Sequence, residues 1–183
     1  MNIRSATLTD ATGLAILHKR CLRSGILSKL PVQFLASFYK NAIINNSFCV
    51  VVLELNDNVH GGVMVSFGGA FKSKYLLPYI HSINVLVKGC LKKFPKHNKI
   101  HTHSSKKDSI PNIEFLFVDE VYRSLNYGAH LLSFCKSYTN VMTVCTLNAK
   151  ENKAISFYRK NEFHDEKKFT SYQKPFLMLK WVG

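Results

Sequence analysis

Apolar residues recur along this chain with two periods, near 3.6 and near 2, and their alternation predicts strands interleaved with helices. Ile3 to Thr7 reads as a short first strand. Thr9 or Asp10 can cap a helix whose apolar face is Leu14, Leu17, Cys21 and Leu22. After the loop "LRSGILSKL", Pro31 suits the first turn of a second helix, with Phe34, Leu35, Phe38 and Ala42 on one side. "SFCVVVLEL" and "VHGGVMVSF" flank "NDN", which predicts a hairpin. Neither run alternates cleanly, so both strands should be covered on both faces.

Tyr79, Ile80, Ile83, Leu86, Val87, Cys90, Leu91 and Phe94 recur at helical spacing. The basic polar stretch "KHNKIHTHSSKKDS" follows. The last third is the most regular. "NIEFLFV" is a strand, a helix carries Leu131, Leu132, Cys135 and Tyr138, and "VMTVCTLNA" is a strand. Glu151 to Asn161 is a helix and "FLMLKWV" a final strand. Strand–helix–strand order implies a parallel pair inside a mixed sheet, hence an α/β fold. At 183 residues the chain reads as a single domain, 1–183.

Charge adds the first hint of a partner. Lysine and arginine number 25 against 11 acidic residues, a formal charge of +14. Such a chain suits an anion: nucleic acid, acidic lipid or a polyphosphate cofactor. The five cysteines, Cys21, Cys49, Cys90, Cys135 and Cys145, are odd in number and sit in apolar runs. They read as small core residues in a reducing, cytoplasmic setting. The opening residues carry no signal-peptide pattern, and the apolar runs fall short of the ~20 residues a bilayer requires. His97, His101 and His103 cluster, but no further donors complete a metal-ligand spacing, so no metal is expected.

The stretch "VYRSLNYGAHLL" carries the chemistry. It joins a strand to a helix N-terminus, where unpaired backbone N–H groups and the helix dipole favour an anion. Arg123 adds a forked cation. Asn126 can take up a left-handed backbone, and Gly128 allows close approach.

This loop, the strand before it, the strand after it and "NKAISFY" together resemble the GNAT family of N-acetyltransferases. That family transfers acetyl from acetyl-CoA to an amine. Its phosphate loop matches Arg123-Ser124-Leu125-Asn126-Tyr127-Gly128-Ala129, with Asn126 in place of the first glycine. Its later element matches Asn152, Ala154, Phe157 and Tyr158, and its Leu-Gly-Phe is Asn161-Glu162-Phe163 here. "GILSKLPVQFLASFYKNAI" further resembles bacterial members linked to polysaccharide or amino-sugar pathways.

The resemblance implies a central mixed β-sheet flanked by helices. Residues 70–111 would be an insertion on the acceptor side. It implies that Leu116, Phe117 and Val118 accompany the pantetheine arm, that Arg123 to Ala129 cradle the pyrophosphate, and that Asn152 bonds the cofactor's amide region. Tyr158 would protonate the departing thiolate. For the base the candidate is Glu114, which shares a strand face with Asn112, Leu116 and Val118. The acceptor would be a small amine, for which a nucleotide-linked amino sugar fits the charge. The alternatives are acetylation of a protein N-terminus or lysine, and a catalytically inactive basic binding module. The aromatics follow core spacing rather than interleaving with basic residues on one face, which argues against nucleic acid. A homodimer is compatible with this reading.

Overall fold

Among the described residues, seven strands form one sheet in the order β1-β2-β3-β4-β5-β7-β6. The structure, a computed structural model, describes residues 1–23, 27–67, 110–171 and 173–183. The expected helix at 79–94, the histidine cluster and nearly all of the 70–111 insertion lie outside the described residues. The strands are β1 (Asn2–Ser5), β2 (Phe48–Leu55), β3 (Asn58–Ser66), β4 (Asn112–Val118), β5 (Val141–Leu147), β6 (His164–Ser171) and β7 (Lys174–Val182). The described helices are α1 (Ala11–Cys21), α2 (Val32–Ile44), α3 (Tyr127–Lys136) and α4 (Lys153–Lys160). Among the described residues no helix is long and apolar enough to cross a membrane.

The uninterrupted apolar run of β2 has a direct structural reason. Val51 and Leu53 enter one core with Val63, Val65, Leu131 and Ile155, while Val50 and Val52 enter another with Leu14, Leu35, Phe38 and Met64. The sheet is therefore sandwiched, with α3 and α4 on one face and α1 and α2 on the other. Side chains alternate along a strand, so a strand covered on both faces has no position left for a polar residue.

The first helix begins differently from its expected cap. Asp10 accepts from the Thr7 backbone N–H at 2.7 Å and from its hydroxyl at 2.8 Å, so the capping pair is Thr7–Asp10 on a short 3-10 turn that runs straight into α1. Arg4 grips the same carboxylate with both terminal nitrogens, at 2.7 and 3.0 Å, and so ties β1 to α1. Tyr138, expected on the apolar face of α3, lies beyond the helix end and is exposed. Of the four described cysteines Cys135 is buried, Cys21 and Cys49 are half-buried, and Cys145 is exposed rather than in the core.

Two positions where the resembled family carries glycine keep a glycine-like backbone here. Asn126 has φ 61° and Glu162 has φ 69°. Asparagine tolerates that region, whereas glutamate is strained by its Cβ. Replacing Glu162 with Gly is expected to raise Tm by about 2–4 °C. The lost contact to Lys136 is exposed, and Lys136 keeps its bond to the Asn161 carbonyl at 2.9 Å. Thermal unfolding followed by circular dichroism checks this, and an unchanged or lower Tm contradicts it.

Candidate active site

Strands β4 and β5 are parallel, yet they pair only at Asn112–Thr143 and Ile113–Val144. Beyond that point they part. The Asp119 N–H bonds the His60 carbonyl on β3 at 2.8 Å. Strand groups alternate in direction, so Phe117 also turns its backbone to β3, while Leu116 and Val118 turn theirs toward the gap left by β5. The Val118 carbonyl shows this orientation: it accepts from Arg123 Nε at 3.1 Å and from Cys21 Sγ at 3.4 Å.

A cleft of about 680 Å³ opens at this gap. Leu116, Phe117 and Val118 form its floor, Arg123, Ser124, Asn126 and Gly128 one wall, and Glu151 to Ala154 with Phe157 the other. Cys21 and Leu22 close it from the end of α1. Thus eight of the residues expected to bind the cofactor meet in one cavity: Leu116, Phe117, Val118, Arg123, Ser124, Asn126, Gly128 and Asn152. Leu125, Tyr127 and Ala129 belong to the same loop and helix start but do not line it.

The loop itself is a 3-10 turn, Glu120–Leu125, followed by the left-handed Asn126, from which α3 starts. The Asn126 carbonyl accepts from Ala129 at 3.0 Å and from His130 at 3.2 Å. The Tyr127 and Gly128 N–H groups precede any intrahelical acceptor and stand at the positive end of the helix dipole. Gly128 is required for another reason than backbone strain. A Cβ there would lie 3.1 Å from the Phe157 ring, so the glycine lets α3 and α4 approach across the cleft.

Asn152 is committed locally. Its side-chain oxygen caps α4 by accepting from Ala154 N–H at 3.1 Å, and its amide donates to Thr146 Oγ1 at 2.9 Å and to the Leu147 carbonyl at 2.6 Å. Tyr158 is buried in the core, its ring edge-on to Phe157 and Phe163, and does not line the cleft. Burial, helped by the nearby Cys135, pushes its hydroxyl pKa well above the usual range. Its neighbour Phe157 takes the place at the cleft wall.

Glu114 lies where the β3–β4 register slips. Met64 pairs with Phe115 and Val65 with Ile113, leaving Glu114 as the extra residue of a bulge. Ser66 Oγ donates to Glu114 Oε1 at 2.6 Å and Asn112 Nδ2 donates to the same oxygen at 3.0 Å. Asn112 in turn accepts from Thr143 Oγ1 at 3.2 Å. Sequence spacing found Glu114 and Asn112 but not Ser66, which comes from 48 residues earlier. It also missed Cys21, Leu22, Glu151 and Lys153, which carry no motif until the fold turns them to the cleft, and it gave Phe157 a place in the matched element but no role at the cleft.

No protein-family model matches the chain, and no curated protein matches it by sequence. Solved structures do match it over nearly its whole length. One is a Desulfovibrio desulfuricans protein assigned to the GNAT family of acetyltransferases. It has a TM-score of 0.65 at 9% identity, covering 99% of this chain and 98% of that one. The fold is that of the GNAT acetyltransferases. A ribosomal-protein-alanine N-acetyltransferase from Brucella melitensis has a TM-score of 0.64 at 13% identity, covering 100% of this chain and 99% of that one. An N-acetyltransferase from Thermoplasma acidophilum, solved in complex with coenzyme A, has a TM-score of 0.61 at 12% identity, covering 100% and 98%. The GNAT fold accounts for the architecture expected from the sequence, a mixed sheet flanked by helices.

Proposed function

We propose that the protein is an acetyl-CoA-dependent N-acetyltransferase acting on a small amine by direct transfer. The observation that carries this is the parting of β4 from β5. It opens a cleft that runs from a helix N-terminus with Arg123 along a strand edge that β5 leaves unpaired beyond Ile113. That arrangement suits a ligand with a pyrophosphate at one end and an amide-rich arm. Arg123, Ser124 and the Tyr127 and Gly128 N–H groups would hold the phosphates. The outward backbone groups of Leu116 and the Val118 N–H would bond the arm as a further strand would. Acetyl-CoA supplies the activated acetyl thioester when bound.

The chain's own residues would then do three things. Cys21, Leu22, Phe117 and Phe157 would exclude water from the cleft. Glu114 would accept the proton that the amine loses on attack, directly or through a water, with Ser66 and Asn112 holding its carboxylate in place. Tyr158 would protonate the departing thiolate only where its hydroxyl reaches the cleft past Phe157, which stands at the cleft wall in its place. Its packing in the core supports a structural part as well, and the two are separated below by kinetics.

The acceptor is a small amine, with a nucleotide-linked amino sugar as the candidate that suits the positive charge. The Brucella neighbour, named for a protein alanine, supports a second reading in which the acceptor is a protein N-terminus. The four described cysteines are free, which supports a reducing, cytoplasmic compartment.

Calorimetry with acetyl-CoA tests the proposal. The wild-type protein is expected to bind it, Arg123→Ala to bind about tenfold more weakly, and Gly128→Leu, whose side chain must displace Phe157, more weakly still. A wild type that binds no acetyl-CoA but binds nucleic acid with a steep salt dependence would favour the binding-module reading instead.

A further inference from the structure

We propose that the acceptor is a small primary amine carrying its own anionic group, and that Lys180 holds that group while Glu114 faces the amine. This rests on the acetyl-transfer reading. A chain of contacts puts the two side chains on one face of the sheet. Asn112 donates to Glu114 at 3.0 Å, Thr143 donates to Asn112 at 3.2 Å, and Thr143 is paired directly with Lys180 on β7. Directly paired residues project from the same face. Lys180 therefore stands two strands from Asn112, about 10 Å at the usual strand spacing. The flexible lysine stem shortens that gap to one that a few bonds between amine and anion can span.

Lys180 is also available. Its carboxylate neighbour, Glu166, lies 3.7 Å away and is 49% exposed, a loose pair that a ligand anion can replace. On β6 Lys180 is paired with His164, and a second cation, Lys167, is paired with Met178, two residues along β7 on the same face.

The charge around this face disfavours the opposite kind of acceptor. A polycation needs several acidic groups around it. Of the chain's 11 acidic residues, Asp10 and Glu54 are bound by Arg4, Asp119 by Arg20, Glu162 by Lys136 and Asp165 by Arg159. The sequence between β3 and β4 holds nine lysines and one aspartate from residue 68 to 109, so it adds positive charge and almost no negative. Of the carboxylates outside these pairs, Glu114 is the one bonded to Asn112 in the chain of contacts that leads to Lys180.

The test is acetyl transfer to matched amines that differ in the anion: phosphoethanolamine against ethanolamine, glucosamine 6-phosphate against glucosamine, and β-alanine against its amide, with spermidine as the polycation. Acetyl-CoA binding is measured alongside. The anionic member of a pair is expected to be favoured at least about tenfold in kcat/KM. The phosphate and carboxylate pairs distinguish which anion the site takes. Lys180→Ala should erase the preference by raising KM with kcat and acetyl-CoA affinity kept, and Lys180→Arg should retain it. A preference for neutral amines or spermidine overturns the proposal. So does an unchanged KM in Lys180→Ala, or acetyl-CoA binding without transfer to any anionic amine. Absence of acetyl-CoA binding removes the acetyl-transfer reading itself, and the acceptor proposal with it.

Discussion

Glu114→Gln is expected to lower kcat by about 10²–10⁴-fold while leaving acetyl-CoA affinity unchanged. Glutamine has nearly the same shape, and its oxygen can still accept from Ser66 and Asn112, which now donate at 2.6 and 3.0 Å. Only the capacity to take a proton is lost. The bulge gives the position its meaning. Glu114 is the extra residue of the bulge opposite β3, two residues along the strand from Leu116 at the cleft floor. At about 3.3 Å per residue that is within reach of an amine attacking a thioester at the end of the cleft. Single-turnover kinetics with saturating acetyl-CoA would separate chemistry from binding. Tyr158→Phe provides the contrast. If its hydroxyl protonates the thiolate, kcat falls with the fold intact; if the ring matters only for packing against Phe157 and Phe163, kcat stays. A Glu114→Gln protein with wild-type kcat would end the case for Glu114 as the base.

The elements with long apolar runs were legible in the sequence because burial dictates their composition. β2, β3, β4, α3, β5 and β7 lie near where periodicity places them, and the left-handed Asn126 is where an asparagine in a strand–helix loop would be expected. β6 was not legible. "HDEKKFTS" is exposed along most of its length and is a strand because β7 supplies backbone partners, with its charges guarding a sheet edge. The site divides in the same way. A loop motif is local, so Arg123 to Gly128 could be read directly. Ser66 against Glu114, Cys21 against Val118 and Phe157 against Gly128 are meetings of distant segments, created by the bulge, the splay and the helix packing. Asn152 shows a limit of matching by motif: its polar groups cap α4 and fasten it to β5, a structural task that the resemblance did not reveal.

Acid should weaken the fold through one buried histidine, and His18→Gln should remove much of that effect. His18 is 1% exposed, its Nδ1 is 2.7 Å from the Tyr39 hydroxyl, and its ring lies edge-on to Phe115 and Phe117 of β4. Burial, with a smaller contribution from Lys19, lowers its pKa from 6.5 to about 4. Above pH 6.5 the ring is neutral in both the folded and unfolded chain, and stability is unaffected. Between 6.5 and 4 the unfolded chain binds a proton that the folded chain does not, so stability falls as pH falls. Below about 4 both states are protonated and the loss levels off at about 3 kcal/mol. Asp10 titrates separately: Arg4 first, then Thr7, holds its pKa at about 2 against the partial opposition of burial, so its contribution is present above 3.8 and disappears below the histidine window. Glutamine at position 18 can still bond the Tyr39 hydroxyl but does not titrate. Urea unfolding between pH 7.5 and 4 should therefore show a steep decline for wild type and a shallow one for His18→Gln. Equal slopes would mean that His18 gains its proton within the folded protein as readily as in the unfolded chain. Because the ring packs on the strand that floors the cleft, the same titration should loosen the cleft before the whole chain unfolds.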